Sequence, residues 1–313
     1  MAGIFTHWMI VESALLQLDR LPASRHLATL AARGGFVALG SIGPDYPYLA
    51  EAAAALPPAR SWADRMHRER SGEFMVRGLR NLGALGGSDH ELALAWLFGF
   101  ATHLVADTIV HPVVNATVGG LAQFRGKEHH HCEMVQDCYL YRAVSGLEIP
   151  DGRYLEPLRS CSHPDDPDRL HPALAAFWTR ALRDLYPEAK ACFQDIDPDG
   201  WHGHVVRRAR ALADPAAADR AGADGDELRL ARRRSSELSD EEVARFIREV
   251  KLPGGGTGNF QRDVFDKVVA QVIAVWGRLL ADVEEGNPEG CRAYLRNWDL
   301  DRGVDADAAY FWR

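Results

Sequence analysis

The chain has 313 residues and is 47% hydrophobic, enough for one large domain or two small ones around a buried core, which excludes a disordered protein. A formal net charge of -8 leaves no general electrostatic footprint for nucleic acid or an anionic membrane surface, so no nucleic-acid partner is expected. The five cysteines, at 132, 138, 161, 192 and 291, form no CxxC pair and leave an odd one in any disulfide scheme, which points to a reducing cytoplasm.

The first stretch, MAGIFTHWMIVESALL, lacks a basic leader and is interrupted by His7 and Glu12, so it reads as retained structure. Apolar residues at three and four spacing predict helices over Ile10–Leu21, Arg25–Ala32, Trp62–Leu82, Glu91–Val110, Glu128–Val144, His171–Leu185 and Phe260–Glu284. Gly34-Gly35, Pro57-Pro58, Gly86-Gly87, Pro112, Gly119-Gly120 and Gly254-Gly255-Gly256 fall where helices should end. No convincing alternating strand pattern occurs, and the expected fold is an all-α multi-helix bundle. His7 shares a helical side with Ile10 and Ala14, as in an ordinary amphipathic N-terminal helix. Asp45 lies in the turn GSIGPDYPYL, where an aspartate commonly stabilises the turn itself. In SWADRMHRE, Ser61 reads as an N-cap, and His67 follows one to two turns later with Asp64 as a partner behind it.

The most apolar window, Leu92–Val114, contains His103, Asp107 and His111, which are costly inside lipid, so a buried helix is expected and no transmembrane segment. These three recur every four residues and stack on one face. The other faces carry Leu97, Phe98, Phe100, Leu104, Val105, Ile109 and Val110. Two readings are open: core polar residues bonded to one another, or metal ligands. The row of three favours ligands, because each is a standard zinc donor and a carboxylate between two imidazoles can bridge two ions. In EHHHCEMVQD a second face carries His129, Glu133 and Asp137 at four-residue spacing, while His130 and His131 point elsewhere.

Between Arg207 and Arg248 the composition shifts to Arg, Ala, Asp and Glu, with Arg232-Arg233-Arg234 in a row. A solvated helical insertion or mobile lid is one reading, an anion-binding patch the other. His163, His171, His202 and His204 lie outside the motifs and read as surface residues, or, for His202 and His204 beside Trp201, as the rim of a site. Trp8, Trp62 and Trp96 read as core. The chain is taken as a single α-helical domain over 1–313 with 150–256 as an insertion or lid.

Taken in order, these motifs resemble the zinc-dependent phospholipase C family, whose relatives include the fungal P1-type nucleases. The resemblance rests on His7 before an apolar helix, Asp45 in a turn, His67 in the next helix, the row His103, Asp107 and His111, and the pair His129 and Glu133. It implies a helical metallohydrolase with two or three zinc ions. Asp45, His67, His103 and Asp107 are implied to hold one ion and His111, His129 and Glu133 a second. Asp107 is implied to bridge to a third, completed by His7 and the N-terminal amine and carbonyl. Closely spaced divalent ions acidify water and neutralise phosphate oxygens, which suits phosphoester hydrolysis, with Asp45 and Asp107 as catalytic residues. The expected substrate is a small-molecule or lipid-derived phosphoester. Alternatives are the same centre acting on a non-lipid metabolite, with the pocket lined by residues 150–256, and a non-catalytic helical protein stabilised by metal.

Overall fold

A computed structural model describes residues 3–51, 57–152, 154–214, 216, 231–305 and 308–312, with the backbone alone for 51, 57–61 and 122. The chain folds as helices α1 (Ile4–Leu15), α2 (His26–Ala32), α3 (Gly34–Gly40), α4 (Tyr46–Glu51), α5 (Pro57–Arg68), α6 (Ser71–Leu82), α7 (Gly87–Val118) and α8 (Ala122–Ser145). These are followed by α9 (Leu155–Ser160), α10 (Pro172–Leu185), α11 (Pro198–Ala213) and α12 (Asp266–Glu284). The all-α expectation holds. Among the described residues the strands form only three two-stranded hairpins, at Ser162–His163 with Asp166–Leu170, Val250–Lys251 with Thr257–Gly258, and Val304–Asp305 with Ala308–Ala309.

Helix α7 is the axis of the bundle. It is apolar on nearly every face, and a helix of that kind requires protein on all sides. α1, α3, α6, α8, α10 and α12 supply it. Although α7 is long and apolar enough to cross a membrane by length and composition, its most apolar window is entirely buried inside the fold. α12 lays Val268, Val272, Val275 and Leu279 into this core, and its Trp276 Nε1 donates to Phe98 O at 3.2 Å and Thr102 Oγ1 at 3.1 Å. Burying each such aliphatic side chain stabilises by roughly 1.5–3 kcal/mol. Trp8, Trp62 and Trp96 are core residues. α3 packs on α7 backbone to backbone. A Cβ on Gly99 would run into the Val37 carbonyl, and one on Gly40 into the Trp96 carbonyl. Two glycines thus let two backbones touch, and this contact sets where the turn after α3 sits against His103.

Several helix ends differ from expectation for identifiable reasons. α1 begins at Ile4 rather than Ile10, because its first turn is capped from another helix: Asp137 on α8 accepts from Phe5 N at 3.2 Å and from Thr6 N and Oγ1 at 2.7 Å each. The predicted helix Trp62–Leu82 is two helices, broken where Arg70 adopts a left-handed φ of 53° and Ser71 bonds to the Trp298 backbone. Gly34-Gly35 and Pro57-Pro58 open helices instead of ending them, and Ser61 lies inside α5 rather than capping it. Pro112 does not stop α7, which runs on to a glycine cap at Gly119 with φ 82°. The carbonyl a residue at 112 would normally engage, that of Thr108, is covered by Gly303, whose φ is 65° and where a Cβ would collide with Thr108 O and Pro112.

Residues 215 and 217–230 of the charged stretch lie outside the described residues. Of the arginine row, Arg233 forks onto Glu242 at 2.6 and 2.8 Å, Arg234 pairs with Asp151 at 2.6 Å, and Arg232 donates to Leu212 O. These arginines join segments of the chain to one another. α11 carries His202, which is not a surface or rim residue: it is fully buried, with Nδ1 3.1 Å from Tyr46 Oη and Nε2 2.9 Å from Ser162 Oγ. His163, His171 and His204 are half-buried.

Candidate metal centre

Four elements converge on the face of α7 that carries His103, Asp107 and His111. α1 brings His7, the turn before α4 brings Asp45, α5 brings His67, and α8 brings His129 and Glu133. His7, Asp45, His67, His103 and Asp107 are fully buried, and His111, His129 and Glu133 nearly so. The eight candidates from the motifs are thus brought to one place. Their donor atoms form three groups, each within 4.8 Å: His7, Asp45 and His103; His67, His103 and Asp107; His111, His129 and Glu133.

Asp107 is the hub. Its Oδ1 lies 3.2 Å from His7 Nε2, and its Oδ2 lies 3.3 Å from His103 Nε2, 3.6 Å from His111 Nε2 and 3.7 Å from His67 Nε2. Asp45 faces the same group, with Oδ1 3.1 Å from His67 Nε2 and Oδ2 3.9 Å from both His7 Nε2 and His103 Nδ1. In the second lobe, His129 Nε2 is 2.9 Å and His111 Nε2 3.9 Å from Glu133 Oε1. The His7 and His103 rings stack at 4.5 Å, which holds both edges toward Asp107.

The arrangement fits divalent metal on two observations. First, both nitrogens of His7 and of His129, Nε2 of His103 and of His111, both oxygens of Asp107 and Oδ2 of Asp45 are buried without a hydrogen-bond partner. Each such atom costs roughly 1–3 kcal/mol if nothing else satisfies it. Second, spacings of 3.2–3.7 Å around Asp107 match the separation of about 3.4 Å expected of neighbouring donors on a tetrahedral zinc ion. The backs of two imidazoles are also fixed. His67 Nδ1 is 2.8 Å from Ala63 O, and His103 Nδ1 is 2.9 Å from Ser41 O; a carbonyl can only accept, so each ring carries a proton on Nδ1 and turns Nε2 to the centre. Ala63 O takes the place expected of Asp64, which instead accepts from Tyr48 Oη at 2.7 Å and faces Arg68 at 3.4 Å.

The electrostatics follow from mixing buried acids and bases. Burial alone would push the Asp107 carboxyl up, but His111, His103 and His7 outweigh it and hold it well below the usual carboxylate range. Burial would lower His67, and Asp45, Asp107 and Asp301 reverse this, raising it to about 9. At His111 burial wins over the pull of Asp107 and Glu133 and lowers the ring to about 4. Glu133, which burial would raise, is held at about 2 by surrounding positive charge that includes His129 and His111. Asp137, one turn beyond Glu133, is no part of the cluster. Burial lifts it to about 7 against its bonds from Thr6 and Phe5, and its work is to seat the helix that carries His7.

Two groups had no local signal in the sequence. Asp137 was visible only as a polar residue in register, and its partner is 132 residues away. Asp301 sits in an unremarkable DLDRG stretch, yet its Oδ1 lies 3.9 Å from His111 Nδ1 and its Oδ2 2.7 Å from Arg68 Nε, at the less buried side of the cluster. His131, as expected, faces away, 2.7 Å from Glu242.

The family model for zinc dependent phospholipase C matches residues 6–188, a stretch that contains all eight candidates. No curated protein and no solved structure matches the chain.

Proposed function

The chain belongs to the zinc-dependent phospholipase C family, and from that premise we propose that it is a zinc-dependent phosphoester hydrolase whose substrate is a small or lipid-derived phosphoester. The observation that carries this reading is the cluster around Asp107, in which four imidazoles and two carboxylates leave buried ligand atoms without a hydrogen-bond partner. Asp45, His67, His103 and Asp107 would hold one ion, His111, His129 and Glu133 a second, and His7 with Asp107 would contribute to a third. Donor sets of His, Asp and Glu without cysteine are those of catalytic rather than structural zinc.

When bound, the ions supply positive charge that acidifies water and neutralises the oxygens of a phosphate. The protein's own part is orientation and proton handling. The Ser41 and Ala63 carbonyls keep His103 and His67 turned inward, so the ligand face needs no rearrangement on loading. Asp45 has one oxygen engaged by His67 and the other open toward the centre, which suits it to orient a water and take its proton. Buried apolar side chains of α7 behind the cluster keep bulk water to the side where Glu133 and Asp301 lie.

The test is a panel of nitrophenyl phosphate mono- and diesters and phosphatidylcholine vesicles, assayed before and after chelation. Hydrolysis that disappears with chelator and returns with zinc supports the reading, and the vesicle arm reports whether intact lipid is a substrate. A zinc-loaded protein inactive on the whole panel would overturn phosphoester hydrolysis.

A further inference from the structure

We propose that Asp301, delivered by a C-terminal loop outside the stretch matched by the family, is the positioning carboxylate of the His111 ligand. The inference rests on the metal centre proposed above. His111 turns Nε2 to Asp107 and Glu133, so its Nδ1 points away from the cluster, and the carboxylate it meets there is Asp301, with Oδ1 at 3.9 Å. A metal-bound imidazole needs its other nitrogen protonated and steered, and a carboxylate facing that N–H fixes the tautomer and makes the ring a stronger donor. His67 and His103 obtain this from backbone carbonyls, whereas His111 faces a carboxylate.

Asp301 is held for the task from several directions. Leu300 N donates to His67 O at 2.8 Å, which ties the loop to the end of α5 directly at a ligand. Asn115 Nδ2, one turn beyond His111 on α7, donates to Asp301 O at 2.8 Å. Arg68 Nε occupies Oδ2 at 2.7 Å, which leaves Oδ1 for His111. Gly303 presses the loop onto α7 at Thr108 and Pro112, where no side chain would fit.

The experiment equilibrates wild type, Asp301→Asn, Asp301→Glu and Arg68→Gln with zinc buffered by a competing chelator, and counts bound ions by mass spectrometry. The asparagine variant is expected to hold one zinc 10- to 100-fold more weakly. The glutamate variant is expected to recover part of that loss, and Arg68→Gln, which keeps the carboxylate, to change it by less than about threefold. In parallel, nitrogen-15 spectra of histidine-labelled, zinc-loaded wild type are expected to show His111 bound through Nε2 and protonated at Nδ1; this arm needs no variant to fold. Unchanged zinc affinity in Asp301→Asn, or His111 bound through Nδ1, would overturn the assignment. A wild type that binds no zinc would overturn the metal centre itself, a different result from a wild type that loads normally beside an unaffected variant.

Discussion

His7 and His202 are both fully buried, and their ring nitrogens meet opposite surroundings. Both nitrogens of His202 are bonded, one to Tyr46 and one to Ser162, and since the Ser162 hydroxyl also has the Leu158 and Pro167 carbonyls to donate to, the ring serves as donor at Nε2 and acceptor at Nδ1. Neither nitrogen of His7 has a hydrogen-bond partner, and Nε2 stands 3.2 Å from one carboxylate and 3.9 Å from another. Burial of an imidazole therefore says little by itself. What separates a structural histidine from a ligand is whether the protein completes its bonding, and around Asp107 it does not.

The sharpest way to break this contrast is at the hub. Asp107→Ala removes the oxygens that face His7, His67, His103 and His111, and zinc-dependent hydrolysis is expected to fall well beyond the ~100-fold typical of losing an outer partner, with at least one ion lost by metal analysis. Gly99→Val should cost ~3 kcal/mol or more in denaturant unfolding, because its side chain would meet the Val37 backbone and not a movable group. It should also weaken zinc binding, since the α3 contact carries Ser41 and Asp45 toward His103.

His202→Gln tests the other side of the comparison. Leaving Tyr46 or Ser162 incompletely bonded should cost ~1–3 kcal/mol while zinc content stays unchanged. Burial holds the His202 ring down at about 4, so the unfolded chain takes up a proton near 6.5 that the folded one refuses. The sign follows: this residue makes wild type lose stability as pH falls from 6.5 to 4. The stability advantage of wild type over His202→Gln should shrink across that window by up to ~3 kcal/mol in chelator, where zinc release plays no part. An advantage that grows as pH falls would show that the ring is charged in the fold. The smallest effect is expected of Asp137→Asn, which keeps an acceptor at the start of α1. Unfolding should cost ~0.5–2 kcal/mol, with the ion nearest His7 loosened before the others.

Much of this centre was legible because helix periodicity converts spacing into geometry. His103, Asp107 and His111 share a face of α7, and His129 and Glu133 share one of α8, whatever the helices pack against. What was illegible depends on contacts remote in sequence. α1 starts before His7 because α8 caps it, the break at Arg70 is held by the backbone near Trp298, and α7 passes through Pro112 under the cover of Gly303. His202 looked like a surface residue beside Trp201 because its partners, Tyr46 and Ser162, come from two other segments. Asp301 had no motif at all and acquires meaning only from standing next to His111 and Arg68.

The most direct measurement is the zinc-to-protein ratio of wild type, His202→Gln and Asp107→Ala after dialysis against metal-free buffer. Wild type and His202→Gln should retain the same two to three equivalents, about the number the donor set can hold, and Asp107→Ala should retain fewer. A wild type without stoichiometric zinc, or an Asp107→Ala variant that holds as much as wild type, would contradict the account.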